Sequence, residues 1–139
     1  MKRRLLRAPT DGGEKGQALV ETAIAFPILL MVALALVQFA LYVHAEGVVT
    51  GAVQDGARVA AAEDSTLGDG ILHTEALLRA GLGRSAGDVT VQGAAGSDTV
   101  MIEAQGHLHL IIPWVGGGSL PLHARSTVSR ERFRVGPGG

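Results

Sequence analysis

From residue 23 to residue 43 the chain carries only two polar side-chain groups, the amide of Gln38 and the hydroxyl of Tyr42. At about 1.5 Å per residue, the stretch 22–43 makes a helix of about 33 Å, which matches the hydrocarbon core of a bilayer. The helical period then persists in amphipathic form. Ala45, Val48, Ala52, Val53, Gly56, Ala57, Val59 and Ala60 recur, with Glu46, Gln54, Asp55 and Arg58 between them. This spacing predicts one helix over about residues 17–62, membrane-spanning over about 22–43. Pro27 removes one backbone hydrogen bond inside it and predicts a modest kink. Residues 63–66 and Gly68 read as the turn that releases the helix.

A second, shorter helix is expected over residues 70–82, with Ile71, Leu72 and Leu78 set against Glu75 and Arg79, and with Gly81 and Gly83 as stop signals. Beyond it the period changes to two. Val89 and Val91 alternate with polar residues, and residues 94–98 read as a turn. Val100, Ile102, Ala104, Leu108, Leu110 and Ile112 then form one apolar face. The next run repeats the pattern: Leu120, Leu122, Ala124 and Val128 alternate with His123, Arg125, Thr127, Ser129 and Glu131. Three antiparallel strands follow, the last two joined through residues 113–119. Trp114 is expected to anchor that connection, covered by Ile111, Ile112 and Val115. A helix on one face of this meander makes a small α+β domain over residues 63–135, and the glycine- and proline-rich tail 136–139 is expected to be disordered.

The chain has 139 residues, enough for one small core beside a membrane segment. With no cysteine, the domain holds together by packing alone. The formal net charge of -1 divides unevenly: the basic leader 1–16 is net +3 and the remainder net -4. Positive charge before an apolar span holds the N-terminus in the cytoplasm and sends the domain outside. No basic patch points to nucleic acid. A secretory signal peptide shares the basic and apolar pattern, but its apolar core runs roughly 7 to 15 residues, shorter than the run here. Cleavage after Ala45 is the form a secreted protein would take.

One carboxylate, Glu21, stands at the head of the apolar run, where charge is costly and is tolerated mainly with a partner. It lies five residues after Gly16 in Gly16-Gln17-Ala18-Leu19-Val20-Glu21. Further along, Gly47, Gly51 and Gly56 each cost a helix about 1 kcal/mol relative to alanine and suggest that something packs closely there, as in small-xxx-small helix pairs, the alternative being a glycine-rich juxtamembrane stretch that frays.

The Gly16 to Glu21 motif resembles the processing site of type IV prepilins and pseudopilins. With the Pro27-containing helix and Asp55-Gly56-Ala57-Arg58, it resembles more narrowly the TadE-like pseudopilins of the tight-adherence (Flp) pilus system. An alternating strand closing on Arg130-Glu131 is similar as well. The resemblance implies that a prepilin peptidase cuts between Gly16 and Gln17, with the leader left on the cytoplasmic side. It implies that Glu21 pairs with the freed amine of Gln17 of the same or a neighbouring subunit. A first mature residue of Gln departs from the aromatic of typical type IV pilins and suits the tight-adherence branch. The partners implied are the peptidase, other pilin-like subunits, pilus assembly membrane proteins and the membrane itself.

His107, His109 and His123, with Glu103, fall on one polar sheet face and form a candidate zinc set without a fixed fourth ligand. Solvent-facing strand positions collect such residues without any metal. The runs Gly81-Leu82-Gly83 and Gly116-Gly117-Gly118-Ser119 lack the strand, helix and lysine context of a phosphate loop. No cofactor is expected and no enzyme. The rival reading is a membrane-anchored or secreted extracytoplasmic binding module.

Overall fold

The structure is a computed structural model that describes residues 11–110 and 118–130, with side chains from residue 16 onward. The expectations placed on residues 1–10, on Trp114 with Ile111, Ile112 and Val115, on Glu131 and on the tail 136–139 lie outside the described residues. Helix α1 (Asp11–Ala61) is followed by α2 (Leu67–Leu82), a 3-10 turn (Gly83–Asp88), and strands β1 (Val89–Ala95), β2 (Thr99–His109) and β3 (Ser119–Ser129). The fold class is α+β, with antiparallel strands in the order β1-β2-β3. The chain divides into two compact units, Met1–Val37 and Gln38–Gly139.

In the first unit α1 contributes bare apolar surface. Leu19, Ile24, Phe26, Leu29, Met31 and Val37 are all more than half exposed. Pro27 lies inside α1, which nonetheless continues without a break.

The second unit is a two-layer domain. Ala45, Val49, Ala52, Val53, Ala57 and Ala60 recur with the helical period along one side of α1, and all are buried. Gly70, Thr74 and Leu78 face them from α2. Small residues let these helices meet closely. A Cβ on Gly56 would overlap the Thr74 hydroxyl and lie 2.7 Å from the Gly70 carbonyl oxygen. Thr74 is fully buried, yet its Oγ1 donates to the Gly70 carbonyl at 2.8 Å, so no polar atom is stranded.

Helix α2 starts at Leu67, three residues before the expected start, because residues 63–66 hold more than a turn. The Thr66 backbone N–H and hydroxyl donate to Asp69 Oδ2 at 2.8 and 2.7 Å, and the Asp69 N–H donates back to Thr66 Oγ1 at 3.2 Å. This capping box satisfies the free donors of the first turn. The Thr66 hydroxyl, then its backbone N–H, hold the Asp69 carboxyl below its ordinary pKa.

The strand alternation stands as expected, but its centre is shifted. Val100, Ile102, Ala104, Leu122 and Ala124 are buried, whereas Leu108, Leu110 and Leu120 are half-buried towards one end of the sheet. Val100 faces Val128, Ala104 faces Ala124 and Leu108 faces Leu120. Small side chains occupy the centre. Gly93 lies so close to α2 that a Cβ there would sit 2.8 Å from Leu67 Cδ1.

Candidate functional site at the head of the apolar helix

Gly16 and Gln17 lie within α1, five and six residues after its start at Asp11, and the peptide between them is helical. The sequence reading began the helix at residue 17. A peptidase that binds an extended backbone must therefore unwind this turn first. Gly12, Gly13 and Gly16 weaken the helix there by about 1 kcal/mol each relative to alanine. Among the described residues nothing lies within 4 Å of where a Gly16 Cβ would stand.

Gln17 and Glu21 are four residues apart in one helix and so share a face, about 6 Å apart. Both are exposed. Beside Glu21 the Thr22 hydroxyl is turned inward, donating to the Ala18 carbonyl at 2.9 Å. A shallow depression runs along the helix from Glu21 over Ala25, Phe26, Leu29 and Val32, and apart from Glu21 and Thr22 its walls are apolar. Cutting before Gln17 would place a new ammonium within one turn of this carboxylate, at a helix start where negative charge is favoured.

The packing glycines divide into two kinds. Gly56 is pressed by α2, as described above, while Gly47 and Gly51 have nothing within 4 Å of a notional Cβ and are exposed. At the end of this stretch Arg58 NH1 pairs with Asp55 Oδ1 at 3.5 Å in solvent.

The sheet's polar face separates the histidines. His123 is registered opposite Gln105, while His107 faces Pro121 and His109 faces Ser119. His109 Nδ1 lies 3.3 Å from Asp88 Oδ2. His123 Nε2 lies 2.8 Å from Glu103 Oε1, and Arg125 donates to Glu103 Oε2 at 2.9 Å. Hydrogen bonds from His123, Gln105 and Arg125 hold the Glu103 carboxyl at a pKa of about 2. No group of three metal-ligating side chains occurs among the described residues. The three histidines do not converge, because a two-residue step along β2 carries His109 away to Asp88. Sequence reasoning placed Glu103 beside the histidines and overlooked Gln105 and Arg125. The signal available was the strand pairing, which sets Arg125 directly opposite Glu103.

α1 contains one segment, Gly16–Ala61, long and apolar enough to cross a membrane, and its most apolar window is unburied by the rest of the chain. By length and composition such a helix near the N-terminus is able to cross a membrane once, a property that an anchor shares with a signal sequence. Residues 16–58 match the family model described as TadE-like protein. The match opens on Gly16 and closes on Arg58, the two ends of the motifs read from the sequence. Neither the curated proteins nor the solved structures gave a match.

Proposed function

We propose that this TadE-like chain is a minor pseudopilin, a non-enzymatic membrane subunit that serves the assembly of a tight-adherence type pilus or a related secretion machine. The observation that carries the reading is the coincidence of three features on one segment. The family match and the exposed apolar helix share the segment 16–58, and the pair Gly16 and Glu21 stands at its head. A bare apolar helix needs lipid or other helices around it, and the carboxylate at its start needs a cation. Cleavage after Gly16 supplies that cation as the Gln17 amine, in the same subunit or in a neighbour. Each ion then relieves the other's unpaired burial.

In this reading the leader stays in the cytoplasm and is removed by a prepilin peptidase, and the domain lies outside the cytoplasmic membrane. Other pilin-like subunits and pilus assembly membrane proteins are its partners. The test is Gly16→Leu in cells with the native peptidase: the full-length precursor should accumulate in the membrane. A variant still shortened by the mass of the leader would overturn the processing role.

A further inference from the structure

The peptide between Gly16 and Gln17 is closed in the structure. Within an α-helix each carbonyl accepts from the N–H four residues on, so the Gly16 carbonyl is held by the Val20 N–H, and the Gln17 N–H is held by the Gly13 carbonyl. A peptidase reaches that carbonyl in an extended backbone only after both bonds have opened.

The shortest route to opening runs from the end of the helix. Gly16 lies five residues after the start of α1 at Asp11, so fraying can reach Gln17 without a break inside the helix. An internal break would leave a short separate turn at residues 11–16, and starting a helix is the costly step. Fraying therefore melts residues 11–16 together. Three of these six are glycine, the poorest helix former after proline. Asp11 and Glu14 oppose them, since negative charge near a helix start favours the helix. From the cut onward the composition reverses: Gln17, Ala18 and Leu19 are all good helix formers, so unwinding meets resistance just past the bond.

Only Gly16 adjoins the bond. Gly12 and Gly13 lie four and three residues upstream of Gly16, at least about 10 Å from it once the backbone is extended. We propose that Gly12 and Gly13 are positioning residues for the cleavage: they set how often the head of α1 unwinds, and so how fast the Gly16 carbonyl is presented to the peptidase. The inference rests on the processing reading given above and adds to it what controls the rate.

Helix propensity gives the size of the effect. Alanine at either position favours the closed turn about fivefold, and at both about 25-fold. Asparagine is larger than alanine but a poor helix former, and favours the closed turn only about twofold at each position. The experiment uses the full-length chain in detergent as wild type, as Gly12→Ala with Gly13→Ala, and as Gly12→Asn with Gly13→Asn. Initial rates of shortening by the native peptidase, below saturation, should fall about 25-fold for the alanine pair and about fourfold for the asparagine pair. Without peptidase, hydrogen exchange at the Gln17 amide should slow in the same order. An asparagine pair cut more slowly than the alanine pair would mean that the peptidase reads side-chain size, and equal rates for all three would mean that unwinding does not limit the cut. Either result overturns the inference and leaves the cleavage intact. A wild-type chain left at full length by a peptidase that cuts another prepilin would overturn the processing reading and the inference together.

Discussion

Glu103 is the most heavily bonded side chain on the polar face, with only 14% of its side chain exposed. Its folded pKa of about 2 lies below the ordinary 4.5, so the contribution of its ionised form is present above pH 4.5 and is lost as the pH falls toward 2. Glu103→Gln should lower the neutral-pH transition and flatten the acid limb of the domain's stability between pH 4.5 and 2, so that variant and wild type converge towards pH 2. Denaturant midpoints across that range are the measurement, and an unchanged limb would remove Glu103 as its cause. Buried positions behave differently. Ile102 is 0% exposed, and Ile102→Asp should cost at least several kcal/mol, enough to unfold a domain of this size. Leu110, which the alternation placed in the core, is half-buried at the strand end, so Leu110→Asp should cost less than Ile102→Asp. His109→Asp, expected from the alternation to be nearly silent, sets a second carboxylate beside Asp88 and should cost about 0.5 kcal/mol at this exposed site. Thermal melts of the three variants should rank in that order, and a Leu110 variant as damaged as the Ile102 one would refute the observed centre.

At the scale of elements, the glycines of α1 give the sharpest contrast. Gly56→Ala drives a methyl into Thr74 and Gly70 and should destabilise by about 1 to 3 kcal/mol, whereas Gly51→Ala meets nothing among the described residues and should be neutral or stabilising by up to about 1 kcal/mol. Chemical denaturation of the two variants checks this, and equal losses would mean that Gly51 is covered too. The long helix, the strand alternation and a turn within residues 94–98 were legible because each is a periodic or punctuated pattern, although β1 runs on to Ala95. Two things were not. The start of α2 lies earlier than expected because Thr66, assigned to the releasing turn, stands three residues before Asp69 at the spacing of a capping box. The core was placed too near Leu108, Leu110 and Leu120 because hydrophobicity favours large side chains. Close approach of helix to helix and helix to sheet is instead marked by Ala60, Gly70, Gly93 and Ala104. The head of α1 was legible as a motif, Gly16 with Glu21, but its helical backbone was not, since the charged and glycine-rich residues 11–16 weaken any periodic signal.

For the whole molecule, the bare apolar stretch of α1 and the packed domain are two different solutions to burial. The domain covers its apolar side chains with its own second layer. The stretch from Leu19 to Val37 leaves them exposed and requires an outside solvent or partner. Glu21→Ala keeps the glycine and the helix, so it should insert and be cut normally while losing association with other pilin-like subunits. Cross-linking in native membranes measures this, and wild-type cross-linking of the mutant would deny Glu21 a pairing role. Maturation itself is the most direct test of the pseudopilin reading. An intact mass of the chain purified from native membranes should place the N-terminus at Gln17, and a chain that begins at Met1 or at Glu46 would contradict it.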